Sequence, residues 1–237
     1  MTNKQISLAL INRYRQVGVP TVYTGVSNLG YSLCFMRGIT NFTGPGKLVG
    51  RARTLNYMPT RPDLVEERPR NEKSPEFVAM GSCGPGDVLV AGAMCNIDAA
   101  IGGDMVLLHL KMVGAEGLVT DGGIRDIDVV KDYGYKVFAG GGTPASRAPF
   151  FVAYDQNVDV SCGGVTVRPG DLIVADDNGV VCVPQQHAET IIEWAESHEN
   201  MEEEIKNMIL AENVPPGKYY NPATFSKLEK SREKRGE

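Results

Sequence analysis

Residues 102–126 read GGDMVLLHLKMVGAEGLVTDGGIRD, a pattern typical of a helix, a short buried strand and a glycine turn. The spacing predicts a helix over 103–114 and a strand over 117–120. Asp104 then lies in the first turn of the helix, while Arg125 and Asp126 follow the end of the strand. Because ligands habitually bind where the strands of α/β layers end, the pattern predicts a site for a divalent cation and a small anionic substrate.

The flanking sequence continues the alternation, with a helix expected over 127–133 and a strand over 135–139. Two further segments resemble each other, GPGDVLVA at 84–91 and RPGDLIVA at 168–175. In each, a Pro-Gly-Asp turn precedes a buried strand. Two unrelated turns explain this similarity at least as well as a repeated feature of a barrel. For the fold we predict a single α/β domain with a central barrel-like sheet and flanking helices.

The remaining elements follow from periodicity and composition. The predictions are a helix over 4–17, a second helical element over 24–33, a strand over 46–58, an exposed loop with at most a short helix over 59–76, and a long acidic helix over 186–211. We expect residues 212–237 to form a surface extension that packs on a neighbouring molecule or is partly mobile.

The composition excludes several classes of protein. Acidic residues (29) outnumber basic ones (24) for a net charge of −5, which argues against a nucleic-acid partner. No apolar run approaches the roughly 20 residues that span a bilayer, and the N-terminus lacks the pattern of a secretory signal, so no membrane association is expected. The five cysteines are scattered without a CxxC pair, which favours a cytoplasmic protein with neither disulfides nor structural zinc.

Each candidate residue also has a plainer interpretation. Asp104 alone is most simply a helix cap, although Gly103 allows close backbone approach and the amides of Met105 and Val106 would face an anion. Arg125 can clamp a substrate carboxylate or keto oxygen, and Asp126 can supply an oxygen ligand to Mg²⁺ or Mn²⁺. An exposed ion pair, with Asp128 capping the next helix, is about as common as such a site.

A third candidate is the glycine loop at 140–147, where Arg147 could close over the distal end of an acidic substrate. A plain linker with a solvent-facing Arg147 is the more common case. The sequence contains no GxSxG elbow, no P-loop and no HExxH motif, and its three histidines (His109, His187 and His198) stand singly. A metal ion and an arginine can act as electrophiles without histidine.

Asp104, followed after twenty residues by Arg125-Asp126, resembles the signature of the class II pyruvate aldolases for 4-hydroxy-4-methyl-2-oxoglutarate and 4-carboxy-4-hydroxy-2-oxoadipate. This RraA-like family also includes the regulator of ribonuclease E activity. The resemblance runs from about residue 21 to 210. It includes GRARTL at 50–55, GGTP at 141–144, CGGVTVRPGD at 162–171 and DDNGVVCVP at 176–184.

The resemblance implies a swivelling β/β/α-type fold over residues 1–211, followed by a C-terminal extension at 212–237. It implies a homotrimer or homohexamer with active sites at subunit interfaces. Asp126 would ligate the metal, Asp104 would hold its waters, and Arg125 would stabilise the pyruvate enolate, with the amides of Met105 and Val106 on its carboxylate. An acidic residue near Glu202 or Glu203 would be donated by the neighbouring subunit.

The resulting hypothesis is a Mg²⁺- or Mn²⁺-dependent lyase. It would cleave a 4-hydroxy-2-oxo acid to pyruvate and a second oxo acid, with oxaloacetate decarboxylation as a related reaction through the same metal-bound enolate. One alternative is a non-enzymatic trimeric regulator that binds a ribonuclease, for which the acidic helix would be the docking surface. Another is a lyase or hydratase that acts on a 2-oxo acid derived from a sugar acid.

Overall fold

The computed structural model describes the backbone of residues 5–235 and the side chains of residues 5–232. Residues 1–4 and 236–237, which touch the first predicted helix and the predicted tail, lie outside the described residues. The α-helices are α1 Leu8–Tyr14, α2 Val19–Asn28, α3 Pro62–Glu67, α4 Pro75–Gly81, α5 Asp104–Val113, α6 Ile127–Val130, α7 Ala188–Glu212 and α8 Pro222–Arg235. Single 3-10 turns occur at Asn71–Lys73, Lys131–Tyr133, Gln185–His187 and Pro216–Lys218.

The strands form one large mixed sheet and two small two-stranded sheets. Their bounds are β1 Phe35–Met36, β2 Thr40–Asn41, β3 Leu48–Pro59, β4 Asp87–Gly92, β5 Gly117–Thr120, β6 Gly123–Ile124, β7 Lys136–Ala139, β8 Gly141–Gly142, β9 Phe151–Gln156, β10 Val160–Cys162, β11 Val165–Val167, β12 Leu172–Asp176 and β13 Gly179–Val183. The large sheet has the order β1-β13-β12-β3-β4-β5-β7-β2, and β9 also pairs with β3. The small sheets are β10-β11 and β6-β8.

The predicted barrel-like closure of the sheet is not confirmed, because the described strands run from β1 at one edge to β2 at the other without pairing the two edges. Both edge strands contain only two residues, too few to extend a ladder. Within the sheet, β3, β4, β5 and β7 are parallel neighbours. The observed architecture is therefore a mixed α/β fold with an open sheet and flanking helices.

Helices cover one face of the sheet in two groups. The first group, α1, α2 and α7, packs around Val49, Val174 and Val181. The second group includes α4 and α5 and packs around Leu55, Leu89 and Leu118. On the opposite side of β4, Val88 and Val90 join a third cluster together with the hairpin β10-β11. Every residue of β4 is buried, as expected for a parallel strand that is covered on both faces.

The long strand β3 lies between the two similar turns found in the sequence. It pairs in parallel with β4 and antiparallel with β12, so that Arg51 lies between Asp87 and Leu172. The Arg51 Nε atom is 2.7 Å from Asp87 Oδ1, and the Arg53 Nε atom is 3.2 Å from Asp87 Oδ2. The similar segments 84–91 and 168–175 thus have similar places in the fold, because their turns lead into β4 and β12, which both pair with β3.

Most predicted elements are confirmed, with corrections at the ends. The prediction of an exposed loop with at most a short helix over 59–76 is wrong, because this segment contains α3, a 3-10 turn and the buried start of α4. The predicted helix over 24–33 is wrong in its bounds, because α2 begins at Val19 and ends at Asn28. Pro20 lies in the first turn of α2, where its missing N–H breaks no helical hydrogen bond. In the plainer interpretation of Arg125-Asp126, Asp128 caps the helix after the glycine turn. It lies inside α6, however, and Asp126 takes the N-cap position.

The C-terminal extension folds back on its own chain through α8. The ring of Phe225 stacks on His198 of α7 with 5.1 Å between the ring centroids. The Tyr220 hydroxyl donates to Glu202 at 3.0 Å, and an Arg232 nitrogen lies 3.0 Å from Glu204. In the described residues the predicted surface extension is therefore a helix held against α7.

All five thiols are free; four are buried and Cys95 is exposed. Within residues 5–235, none of the helices combines the length and the apolar character that crossing a membrane requires.

Candidate active site

The predicted site residues at 103–106 and 125–126 lie beyond the carboxyl ends of two neighbouring parallel strands, and Thr143 lies beyond the end of a third. The segment with Gly103 and Asp104 follows β4, the segment with Arg125 and Asp126 follows β5, and Thr143 follows β7. The short parallel pair β6-β8 joins the second and third segments. This is the edge of an α/β sheet at which ligands usually bind, because the loops there are free to carry polar side chains.

The start of α5 and the Arg125-Asp126 pair are in direct contact. The amide of Asp104 donates to Asp126 Oδ2 at 3.0 Å, and the Arg125 amide donates to the Gly102 carbonyl at 3.2 Å. A Cβ atom at Gly103 would overlap the carboxylate of Asp126. Glycine at position 103 therefore allows the two segments to approach each other.

Asp126 adopts an unusual backbone conformation, with φ of 54° and ψ of 37°. A non-glycine residue in this left-handed region is uncommon, and such residues often occur at functional sites. In this conformation the Asp126 carboxylate turns back onto the amide at the start of α5. The Arg125 Nε atom lies 3.7 Å from Asp126 Oδ2, and both side chains remain more than 40% exposed, at 43% and 44%.

An open cavity of about 550 Å³ lies directly above these groups and is lined by residues 103–106 and 125–129. A second opening of about 400 Å³ shares Arg125, Asp126 and Ile127 with it and extends to Thr143 and Pro144. The amides of Met105 and Val106, in the first turn of α5, have no acceptor among the described residues. Two carboxylates, one guanidinium and two helical amides therefore border the same cavity, which suits a small acidic ligand.

Tyr133 is a site residue that the sequence interpretation missed. Its hydroxyl donates to Asp104 Oδ1 and also lies 3.3 Å from the Asp104 carbonyl oxygen. The hydrogen bond to the Asp104 carboxylate, assisted by partial burial and by nearby carboxylates, raises the pKa of Tyr133 to about 12. The hydroxyl thus stays protonated as a donor at neutral pH and orients one oxygen of Asp104. Its position 29 residues after Asp104 follows no motif spacing.

Replacing Tyr133 by phenylalanine removes this donor and retains the ring. We expect Tyr133→Phe to lower the rate of the site's reaction about 10- to 100-fold, the usual range for a residue that orients a metal or substrate ligand. Calorimetric titration with Mn²⁺ should show weaker binding, while the melting temperature stays near that of the wild type. Lys111→Met is a suitable control, because Lys111 lies over the Tyr133 ring at 5.1 Å and does not border the cavity. An unchanged rate and Mn²⁺ affinity in Tyr133→Phe would contradict this role.

The donor set fits a divalent cation of the magnesium type. Within residues 5–232, no group of three or more His, Cys, Asp and Glu side chains is arranged to hold a metal ion. Mg²⁺ and Mn²⁺ nevertheless need only one or two carboxylates, since they keep several waters and share substrate oxygens. Asp126 and Asp104, which line one accessible cavity, satisfy this requirement.

The other predicted site residues lie elsewhere in the subunit. Arg147, whose side chain is 35% exposed, pairs with the buried Glu76 and lines a different cavity from that of Arg125. Glu202 lies on α7 and contacts His198 of the same helix and Tyr220 of the C-terminal extension, and Glu203 pairs with Lys206 at 3.4 Å. Neither glutamate lines the cavity around Arg125 in its own subunit. The donation of an acidic residue by a neighbouring subunit stays a prediction.

Comparison with known proteins agrees with the geometry. The profile of the RraA-like family, described as Aldolase/RraA, matches residues 19–182. A protein of Halalkalibacterium halodurans named "Putative 4-hydroxy-4-methyl-2-oxoglutarate aldolase" is 38% identical over 184 residues, which cover 75% of this chain and 81% of that protein. A protein of Azotobacter vinelandii with the same name is 39% identical over 104 residues, 43% of this chain and 62% of its own length.

Among solved structures, the fold is similar to that of Streptomyces coelicolor RraAS2, described as an unusual member of the RNase ES inhibitor RraA protein family. That structure is 32% identical, with a TM-score of 0.77 over 84% of this chain and 96% of the other. A protein from Pseudomonas syringae shares the fold at 23% identity, with a TM-score of 0.79 over 92% of this chain and 95% of the other. The profile match over residues 19–182 and these similarities show that the chain belongs to the RraA-like family.

Proposed function

We propose that this protein is a Mg²⁺- or Mn²⁺-dependent carbon–carbon lyase that releases pyruvate from a 4-hydroxy-2-oxo acid with one or two further carboxylates. The observation that carries the proposal is the convergence of Asp104, Arg125 and Asp126 on one open cavity at the start of α5. Relatives that bear the aldolase name support a lyase of this class. Decarboxylation of oxaloacetate is included, because it also leaves negative charge on the keto oxygen of a pyruvate unit.

Separate groups of the chain would bind the substrate carboxylate and stabilise the charge that develops on the keto oxygen. The amides of Met105 and Val106 would bind the 2-oxo acid carboxylate, favoured by the positive end of the α5 dipole. The guanidinium of Arg125 would donate to the keto oxygen and offset the negative charge that develops there as the bond to the leaving oxo acid breaks. Such preorganised stabilisation of charge is usually the largest catalytic contribution.

Asp126 and Asp104 would hold the cation, Asp126 directly and Asp104 through water. When bound, the cation would supply Lewis acidity and lower the pKa of bound water. The hydrogen bond from Tyr133 occupies Asp104 Oδ1 and leaves Oδ2 to order the water that exchanges protons with the substrate. We further propose that subunits assemble as a homotrimer or homohexamer, in keeping with the largely exposed Met105 and Met112 on α5.

Removal of divalent metal tests the proposal directly. We expect the purified protein to release pyruvate from oxaloacetate and from 4-hydroxy-4-methyl-2-oxoglutarate in an assay coupled to lactate dehydrogenase. EDTA should lower the enzyme-dependent rate at least about 100-fold, because cation charge stabilisation amounts to several kcal/mol, and an excess of Mn²⁺ should restore it. A matched reaction without protein corrects for spontaneous decarboxylation. Full activity in EDTA would exclude a metal-dependent lyase.

The similarity to RraAS2 supports a second candidate, a non-enzymatic regulator that binds a ribonuclease. The acidic helix α7 would be its docking face, where Glu203 is exposed and Glu202 and Glu204 also contact the C-terminal extension. This candidate predicts no pyruvate release from any 2-oxo acid and saturable binding to a ribonuclease. The cavity favours the lyase, because an adaptor has no need for an arginine and two carboxylates that line an open cavity.

A further inference from the structure

A separate cavity of about 310 Å³ lies where residues 65–77, most of which belong to the proline-rich segment 59–76, meet β9 and Arg147. It shares no lining residue with the two openings around Asp126. Its wall comes mainly from the charged, proline-rich segment that the sequence predicted to be an exposed loop. The cavity volume lies at the lower end of the range for small-molecule sites.

The charges that line this cavity leave a positive excess. Its charged residues are Arg68, Arg70, Glu76 and Arg147. The buried Glu76 is neutralised by its ion pair with Arg147. Within the described residues, neither Arg68 nor Arg70 has a carboxylate partner within ion-pair distance. Two arginines without a carboxylate partner among the described residues therefore line a concave surface.

Two donors of the same cavity are buried without an acceptor. Ser74 is only 8% exposed, and its hydroxyl oxygen has no hydrogen-bond partner in the described residues. The Nε atom of Arg68 is also buried and unpartnered. A buried donor without a partner is unfavourable, and a ligand that supplies acceptor oxygens removes this penalty.

Arg68 is held in place before any ligand binds. Its Nη1 atom donates to the Tyr154 carbonyl at 2.8 Å, and its guanidinium lies 4.2 Å above the Tyr154 ring. The rigid geometry of the guanidinium therefore fixes the direction of the unused Nε. A preordered cation loses little conformational entropy when a ligand binds, which favours recognition by this side chain.

We propose that this cavity is a second binding site, which takes a small ligand through a carboxylate or phosphate group. The oxyanion would accept hydrogen bonds from Arg68, Arg70 and Ser74, while the Glu76–Arg147 pair forms the neutral side of the site. Arginine forks and a hydroxyl match the several acceptor oxygens of such a group. The proposal does not depend on the lyase activity, since it concerns a different cavity and can be tested without a 2-oxo acid.

The test is isothermal titration calorimetry of the full-length protein with malonate, inorganic phosphate and neutral malonamide at constant ionic strength. We expect saturable binding of at least one anion and none of malonamide. Arg70→Gln should weaken anion binding about tenfold or more, the effect of losing a charge-assisted hydrogen bond. Ser74→Ala should weaken it as well, with no loss of thermal stability, because the deleted hydroxyl has no partner in the protein.

Two further variants assign the measured binding to this cavity. Arg61→Gln is the matched control, since Arg61 belongs to the same segment but pairs with Asp63 and lies outside the cavity; its affinity should equal that of the wild type. Arg125→Ala removes the guanidinium from the cavity above Asp126. It should leave the affinity of the second site for its anion unchanged, because Arg125 does not line that site. Tighter binding of phosphate than of malonate would identify a phosphate-bearing ligand, and the reverse a carboxylate-bearing one.

The proposal is overturned if neither anion binds saturably, or if malonamide binds as tightly as malonate. It is also overturned if anion binding is lost in Arg125→Ala and unaffected in both Arg70→Gln and Ser74→Ala. A loss of pyruvate release with intact binding here would contradict only the lyase proposal, so the two hypotheses fail separately.

Discussion

Arg125→Ala is expected to lower kcat/KM for pyruvate release about 10²- to 10³-fold, the usual effect of removing one donor that stabilises a developing oxyanion. The reason lies in the geometry, since the guanidinium borders the cavity beside the carboxylates of Asp104 and Asp126. The fold should stay intact, because the Arg125 side chain is 43% exposed and its contact with Asp126 is a long 3.7 Å. The measurement is steady-state kinetics of pyruvate release, together with a thermal melt of each variant.

Three comparisons sharpen this experiment. Arg125→Lys keeps the charge and loses the two-pronged geometry, so its activity should fall between those of alanine and the wild type. Asp126→Ala should abolish pyruvate formation, because it removes the proposed direct metal ligand. Arg168→Ala is the matched control, since Arg168 is 72% exposed and pairs with Asp159 outside the cavity. Pyruvate release at the wild-type rate in both Arg125→Ala and Asp126→Ala would show that the lyase mechanism is wrong.

The largest effect on stability is expected at Asp87, a residue away from the cavity. The Asp87 carboxylate is 5% exposed and contacts Arg51, which is itself only 12% exposed, and Arg53. Asp87→Asn keeps the size of the side chain and removes the charge, so a guanidinium stays buried without its counterion. Breaking a buried pair in this way costs about 3–5 kcal/mol of unfolding free energy.

Chemical denaturation with urea, followed by circular dichroism, measures this change. Asp63→Asn provides the control, because the Arg61–Asp63 pair is highly exposed and should change the midpoint very little. Equal unfolding free energies of Asp87→Asn and the wild type would show that the pair between β3 and β4 contributes nothing to stability. The ligand cavity lies at the opposite ends of the strands, so activity per folded molecule should be retained.

The sequence predicted the α/β alternation well, because local patterns control it. The helix α5 and the strands β5 and β7 follow from apolar periodicity and from glycine positions that end each element. The prediction that Asp104, Arg125 and Asp126 lie near strand ends rests on the same local patterns. Whether the sheet closes could not be predicted from local patterns. Closure would require the two edge strands, β1 and β2, to pair with each other, and the pairing of strands depends on the whole fold.

Other features depend on contacts between distant segments. Tyr133 reaches Asp104 because the 3-10 turn after α6 packs beside the start of α5, a relation that no local pattern encodes. Asp121 begins the glycine turn that leads to Arg125 and Asp126. Its carboxylate is buried and accepts hydrogen bonds from the amides of Ala93 and Gly163. The sequence alone does not distinguish Asp121 from Asp126. The structure does, because Asp121 is buried and Asp126 is exposed to the cavity.

Local chemistry was thus sufficient to identify which residue types lie at the ends of strands and at the start of α5, since backbone propensities and side-chain periodicity act over a few residues. The tertiary structure decided which of these groups meet. It brought Asp126 onto the amide of Asp104, turned Arg147 toward Glu76 and placed α8 on α7. These contacts arise from the packing of segments far apart in the chain, whose free energy depends on burial and shape in three dimensions.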